Sequence, residues 1–128
     1  MNGKLLLDTN VIIEFFKGQP SIVALIREAE EALCVSVITR MELLSFHSIT
    51  TEEEKYIRDF LDAVAVVPLN ADVEDTAILL RRATRHKIPD AVVAASAIVS
   101  KAVLVTYDRE LAGTEFPGLA TRLPDTSA

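Results

Sequence analysis

The sequence predicts a single α/β domain: a central sheet of four or five mostly parallel strands, with helices on both faces. Three observations support this. Short apolar runs alternate with longer segments of helical periodicity, the pattern of strands joined by crossover helices. The runs LLL at 5–7 and VLV at 103–105 are apolar throughout instead of alternating, as expected of strands covered on both sides. The length, 128 residues, fits one compact domain, and no low-complexity window or internal repeat divides it.

The elements follow in chain order. Leu5–Leu7 reads as a strand and Val11–Phe16 as the start of a helix. Ser21 to Ala32 repeats apolar residues at helical spacing, with Ile22, Leu25, Ile26 and Ala29 on one face. CVSV at 34–37 reads as a buried strand, and Thr39 opens a helix through Met41, Leu43 and Leu44. TEEEKYIRDFLDAV has the acidic start that a helix dipole favours. AVAVVPL at 63–69 fits a third strand closed by Pro68, and a helix follows from Asn70 to Arg85. Ile88-Pro89-Asp90 restarts the chain, and an Ala-rich helix runs from Asp90 to Lys101. AVLVT at 102–106 is a strand, Asp108–Ala112 a short helix, and Leu119–Leu123 a last edge strand.

Composition narrows the chemistry. Half the residues are hydrophobic and 5 % aromatic, so the core must be mostly Leu, Ile, Val and Ala. Cys34 is the single cysteine and, beside Val35, reads as a small core residue. The first residues offer one lysine and three leucines, short of a secretory signal. No run approaches a membrane span. Together these features predict a cytoplasmic protein. The net charge of −6 leaves a nucleic-acid partner needing either a local basic patch or a cation that offsets clustered acids.

Open α/β sheets bind ligands beyond the carboxyl ends of their strands. Four acids fall there. Asp8 ends LLLD, Glu42 lies one turn into the helix after the second strand, Asp90 opens the Ala-rich helix, and Asp108 follows VLVT. Each acid also suits a helix cap: Asp8, Asp90 and Asp108 as N-caps, and Glu42 through a Thr39-Arg40-Met41-Glu42 capping box. Taken jointly, four carboxylates at one end of a sheet repel one another, which raises the pKa of at least one unless a cation intervenes. An all-oxygen set without His or Cys suits Mg²⁺ or Mn²⁺.

LLLDTN, TRMEL, IPDAVVAASA and VTYDREL, in that order and spacing, resemble the four motifs of PIN-domain ribonucleases. The nearest branch is the VapC-type toxin of toxin–antitoxin pairs. The resemblance covers nearly the whole chain, and it implies one PIN-like domain over 1–128 acting as a Mg²⁺- or Mn²⁺-dependent endoribonuclease. It assigns Asp8, Glu42, Asp90 and Asp108 to the metal, and Thr106 and Asn10 to orienting the carboxylates or a water. It also implies an RNA substrate, a homodimer, and a small antitoxin whose tail blocks the acidic pocket. Two features depart from the family: Tyr107 stands where a small polar residue is usual, and Ser45-Phe46-His47 where a glycine follows the helix-borne Glu.

RRATRHK, from Arg81 to Lys87, is the one dense cationic stretch. Arg81, Arg82, Arg85 and Lys87 are the candidate RNA contacts. Arg40 is added because it precedes Glu42 by two residues, and Lys17 lies near the same rim. His86 is grouped with this patch. Two other functions compete. One is aspartyl-phosphate chemistry, with Asp8 as nucleophile and Lys101 as charge partner, although the second acid such sites favour is Asn10 here. The other is a catalytically silent PIN-like module that binds RNA or protein.

Overall fold

The computed structural model describes residues 3–124; the outermost positions of the expected 1–128 domain, 1–2 and 125–128, lie outside the described residues. The elements in order are β1 (Lys4–Leu7), α1 (Thr9–Phe16), α2 (Pro20–Glu28), β2 (Ala32–Ser36), α3 (Val37–Leu44), α4 (Thr51–Asp62), β3 (Ala65–Val67), α5 (Ala71–Ala83), α6 (Ile88–Ser100), β4 (Val103–Val105), α7 (Arg109–Ala112) and β5 (Ala120–Arg122). The strands form one sheet in the order β3-β2-β1-β4-β5, and every neighbouring pair is parallel. The expected edge strand is β5, and the sheet is fully parallel. β1 is central: Leu6 aligns with Cys34 on one side and Leu104 on the other. The chain winds outward from β1 in one direction and returns to its other side with β4. The switch point, and with it the ligand crevice of such sheets, therefore falls between the carboxyl ends of β1 and β4.

Helices cover both faces, and successive β1 side chains point to opposite cores. Leu6, Cys34 and Leu104 pack with α5, α6 and α7 through Val73, Leu80, Ala94 and Leu111. Leu5, Leu7, Val35 and Val105 pack with α1 to α4 through Ile12, Ile22, Leu43 and Ile57. Because the inner strands β1, β2 and β4 are largely buried on both sides, they do not alternate in polarity. The seven consecutive residues Ala91–Ala97 of α6 are all buried, four of them alanines. That composition lets α6 lie close against the sheet and the helices beside it. Among the described residues no helix is long and apolar enough to cross a membrane.

Several boundaries differ from expectation. The helix expected to reach Ala32 ends at Glu28, and Ala29 is already extended (ψ 125°). There the chain must turn so that Ala32 can pair with Lys4 and donate to the Gly3 carbonyl. Parallel pairing overrides the helix preference of AEEA. Val37 was expected in the strand but is the first residue of α3, because the Ser36 hydroxyl caps Ile38 N–H. The third strand is only Ala65–Val67, since α4 runs on to Asp62 and Leu69 is exposed. The Ala-rich helix opens two residues early, at Ile88, with Lys87 at its N-cap position.

Candidate functional site

Asp8 is the first residue beyond β1, buried and capping α1: its Oδ1 accepts from Thr9 N–H at 2.8 Å. Its Oδ2 accepts from the Thr106 hydroxyl at 2.8 Å, joining the ends of β1 and β4. Thr106 is itself fully buried, and its oxygen also receives the Asp108 N–H at 3.0 Å and Asn10 Nδ2 at 3.4 Å. Asn10 completes the lattice by accepting Tyr107 N–H at 3.2 Å. Thr106 and Asn10 thus stand beside Asp8, where the motifs suggested. Asp108 caps α7, its Oδ1 accepting from Glu110 and Leu111 N–H.

Two of the four acids are not the caps they resemble. Asp90 sits in the first turn of α6, and no side-chain hydrogen bond caps that helix. The Thr39–Glu42 capping box does not form, because α3 begins three residues earlier. Glu42 instead reaches Thr9, whose Oγ1 lies 2.6 Å from its Oε1 and 3.0 Å from Thr39 Oγ1. A carboxylate only accepts, so the Thr9 hydroxyl donates to Glu42 and receives the proton of buried Thr39. Sequence reading did not single out Thr9 or Thr39 as neighbours of Glu42. The trace was present, a hydroxyl next to Asp8 and another one turn before Glu42, but only the α1–α3 contact brings them together.

The electrostatics tie the acids to one another. Burial holds the Asp8 carboxyl above the usual carboxylate range; the bonds from Thr106 and Thr9 oppose that rise, and the charges of Asp90 and Glu42 add to it. Asp90 is also raised, first by burial, then by Asp108, with Glu42 and Glu110 adding and His86 opposing. Asp8 thus feels the charges of Asp90 and Glu42, and Asp90 those of Asp108 and Glu42, near the β1/β4 switch point. Even so, among the described residues no three His, Cys, Asp or Glu side chains are gathered tightly enough to grip a metal as they stand. Asp8, Glu42 and Asp108 are each engaged by donors. The donor set, all carboxylate with a mutual charge excess, fits a hard divalent cation.

The cationic candidates divide. Arg81, Arg82, Arg85 and Lys87 are exposed and Arg40 half-buried. Arg81 Nε donates to the His86 carbonyl at 3.2 Å, and Lys17 pairs with Glu14. His86 does not belong to the surface patch: it is buried, with Nε2 2.6 Å from Thr114 Oγ1. Lys101 ends α6 in the left-handed conformation. Asp90 lies at the other end of that helix, about 16 Å away at 1.5 Å per residue. This removes Lys101 as a charge partner for chemistry at the Asp8 end. Tyr107 is half-buried against the α1–α4 core.

Residues 5–117 match the PIN domain family. No protein of curated function matches the sequence. Among solved structures, VapBC2 from Rickettsia felis bound to a DNA fragment from their promoter is 20% identical, with TM-score 0.83, covering 95% of this chain and 99% of that one. A toxin–antitoxin complex from Klebsiella pneumoniae is 25% identical, with TM-score 0.79 and coverage of 91% and 96%. VapBC-1 from nontypeable Haemophilus influenzae is 26% identical, with TM-score 0.72 and coverage of 93% and 96%. The family match runs from β1, which delivers Asp8, to beyond α7, which Asp108 caps, and so takes in all four acids: the chain belongs to the PIN domain family.

Proposed function

We propose that this chain is a metal-dependent endoribonuclease and the toxin of a VapBC-type toxin–antitoxin pair, working as a homodimer held in check by a small antitoxin. The observation that carries the reading is the buried Asp8 carboxylate at the β1/β4 switch point, fixed by the Thr106 hydroxyl and Thr9 N–H, with Asp90 and Glu42 close enough for their charges to raise it further. Such an arrangement is costly for a fold to keep without a cation or cationic partner to offset it. The likeness to VapBC structures and the toxin–antitoxin complex supports the partner assignment.

Asp8, Glu42, Asp90 and Asp108 would hold Mg²⁺ or Mn²⁺. A bound divalent ion supplies a water nucleophile at neutral pH and offsets charge on the scissile phosphate. The protein's own contribution is orientation. Thr106 fixes one Asp8 oxygen and Thr9 N–H the other, Asn10 braces Thr106, and the Thr39–Thr9 chain steers Glu42. Arg81, Arg82, Arg85, Lys87 and Arg40 are the groups available to engage RNA phosphates beside an otherwise acidic surface.

The test is cleavage of tRNA, rRNA and mRNA by the chain stripped of any partner, with Mg²⁺, Mn²⁺ or EDTA, beside Asp8→Asn. Cleavage that needs metal and vanishes in the variant is the expected result. Metal binding by calorimetry with no cleavage of any RNA points to the silent binding module. No metal binding removes the reading.

A further inference from the structure

We infer that the hollow bordered by α1, Gln19 and Tyr107 is a base-reading subsite for a guanine next to the scissile phosphate. Tyr107 stacks on the base, the Glu14 carboxylate accepts from its N1–H and N2–H groups, and the Gln19 amide donates to its O6. This deepens the endoribonuclease reading and rests on it. The hollow has a volume of ≈ 370 Å³ and is lined by Asn10, Glu14, Gln19 and Tyr107. It shares a wall with the acidic crevice: Asn10 Oδ1 accepts Tyr107 N–H at 3.2 Å, and Asn10 Nδ2 donates to Thr106, which holds Asp8. Glu14 stands one turn of α1 beyond Asn10, about 6 Å along the helix, so a base bound beside it belongs to a nucleotide adjoining the crevice.

The polar groups decide which base fits. Ile22 N–H and the Ser21 hydroxyl both bond Gln19 Oε1, at 2.9 and 2.7 Å. A backbone N–H only donates, so that atom is the carbonyl oxygen and the amide group of Gln19 is left as a donor. Glu14 receives Lys17 Nζ at 3.3 Å on one oxygen, and its carboxylate has lone pairs for further donors. Guanine carries two adjacent N–H donors on its Watson–Crick edge, which a carboxylate accepts bidentately, with a carbonyl acceptor beside them. Adenine, cytosine and uracil each present a single donor group on that edge. The Tyr107 ring supplies the flat face on which a base stacks. Burial, and then the Glu14 charge, hold its hydroxyl above the usual phenol range, so the ring stays neutral beside the carboxylate. Packing on the α1–α4 core accounts for the buried side of the ring. It does not account for a hollow on the other side that pairs a spare amide donor with a carboxylate.

The experiment measures binding and cut position separately. Fluorescence anisotropy follows labelled UUGUU, UUAUU, UUCUU and UUUUU on the full chain carrying Asp8→Asn, which blocks cutting, with Mg²⁺ present. UUGUU should bind about tenfold tighter than the other three, the discrimination expected of one bidentate pair. Adding Glu14→Gln should erase that preference while leaving UUUUU binding unchanged. Adding Tyr107→Ala should weaken all four RNAs about tenfold, and Tyr107→Phe should restore them, because stacking needs the ring and not the hydroxyl. Circular dichroism checks folding; where Tyr107→Ala unfolds, Glu14→Gln, which keeps the side chain's shape, decides alone. The chain with Asp8 intact is then given a randomised RNA with Mg²⁺, and the cut ends are sequenced. Cuts should fall beside guanine, and Glu14→Gln should scatter them. Equal binding of the four RNAs, no binding of any, a guanine preference that survives Glu14→Gln, or folded Tyr107→Ala binding as tightly as its parent would each overturn the inference. Cutting with no bias toward guanine overturns the subsite and keeps the enzyme, whereas guanine-selective binding without cutting keeps the subsite and removes the enzymatic reading.

Discussion

Replacing Thr106 by valine isolates the bond that joins β1 to β4. The side chain is fully buried, and its hydroxyl uses its one proton on Asp8 while accepting from Asp108 N–H and Asn10. Valine fills nearly the same space, so the change removes hydrogen bonds without opening a cavity. A hydrogen bond to a buried charged group contributes about 1.5–3 kcal/mol, and a stranded, partly buried N–H costs about 1 kcal/mol more. The expected loss at neutral pH is therefore about 2–4 kcal/mol, a large share of the roughly 5–15 kcal/mol that holds a domain together. For a chain of this size that is a drop in Tm on the order of 10 °C.

The sign of the pH dependence follows from Asp8. Its carboxyl is raised by burial and pulled back by Thr106. Without that bond the folded carboxyl holds its proton to higher pH. The deficit is thus fully present above both folded pKa values, shrinks as pH falls through that of the variant, and settles below that of wild type at the part independent of charge. Urea unfolding in EDTA near neutrality and again in mild acid measures both. A loss under about 0.5 kcal/mol at neutral pH, or one that does not change with pH, would refute this account of Asp8.

Asp90→Asn should behave in the opposite way. Burial and neighbouring acids raise Asp90, so its ionised form is a burden above the folded pKa that disappears below the model-peptide value of 3.8. In EDTA at neutral pH the variant should be at least as stable as wild type, relief of repulsion outweighing a helix-dipole loss of about 0.3–1 kcal/mol; a net loss above 1 kcal/mol by urea titration would contradict it. Mn²⁺ at about 100 times its Kd should stabilise wild type by about 2.7 kcal/mol, seen as a rise in Tm, and leave this variant nearly unmoved. Ala94→Leu should cost about 1–3 kcal/mol or more in a thermal melt, because α6 has no room for the added carbons; a neutral result would mean that the small residues there are incidental.

Topology was the legible part of the fold. Uniformly apolar LLL and VLV implied strands buried on both faces, and the sheet is fully parallel. Element ends were less so, since AEEA favours helix locally and only pairing with β1 extends it. At the site, the four acids and their motif order could be read directly. The contacts that orient Glu42 could not, because Thr9 and Glu42 are 33 residues apart and meet only through packing of α1 on α3. The cationic stretch misled at one position: His86 looks like its neighbours but turns inward to Thr114.

The placement of β1 has a consequence for the order in which the molecule is made. Of the five strands the central one, β1, is synthesised before the others, yet its partner on one side, β4, lies about a hundred residues later, with Leu7 aligned to Val105. Parallel pairings of such long sequence separation form late, since loop closure must be paid first. During synthesis β1 and β2 can pair while the opposite edge of β1 waits, unpaired, until β4 emerges. The Asp8–Thr106 bond spans 98 positions and cannot exist before then. The acidic crevice is thus one of the last features to assemble, and a nascent chain interrupted before β4 has neither the second wall of the crevice nor the hydroxyl that orients its first acid.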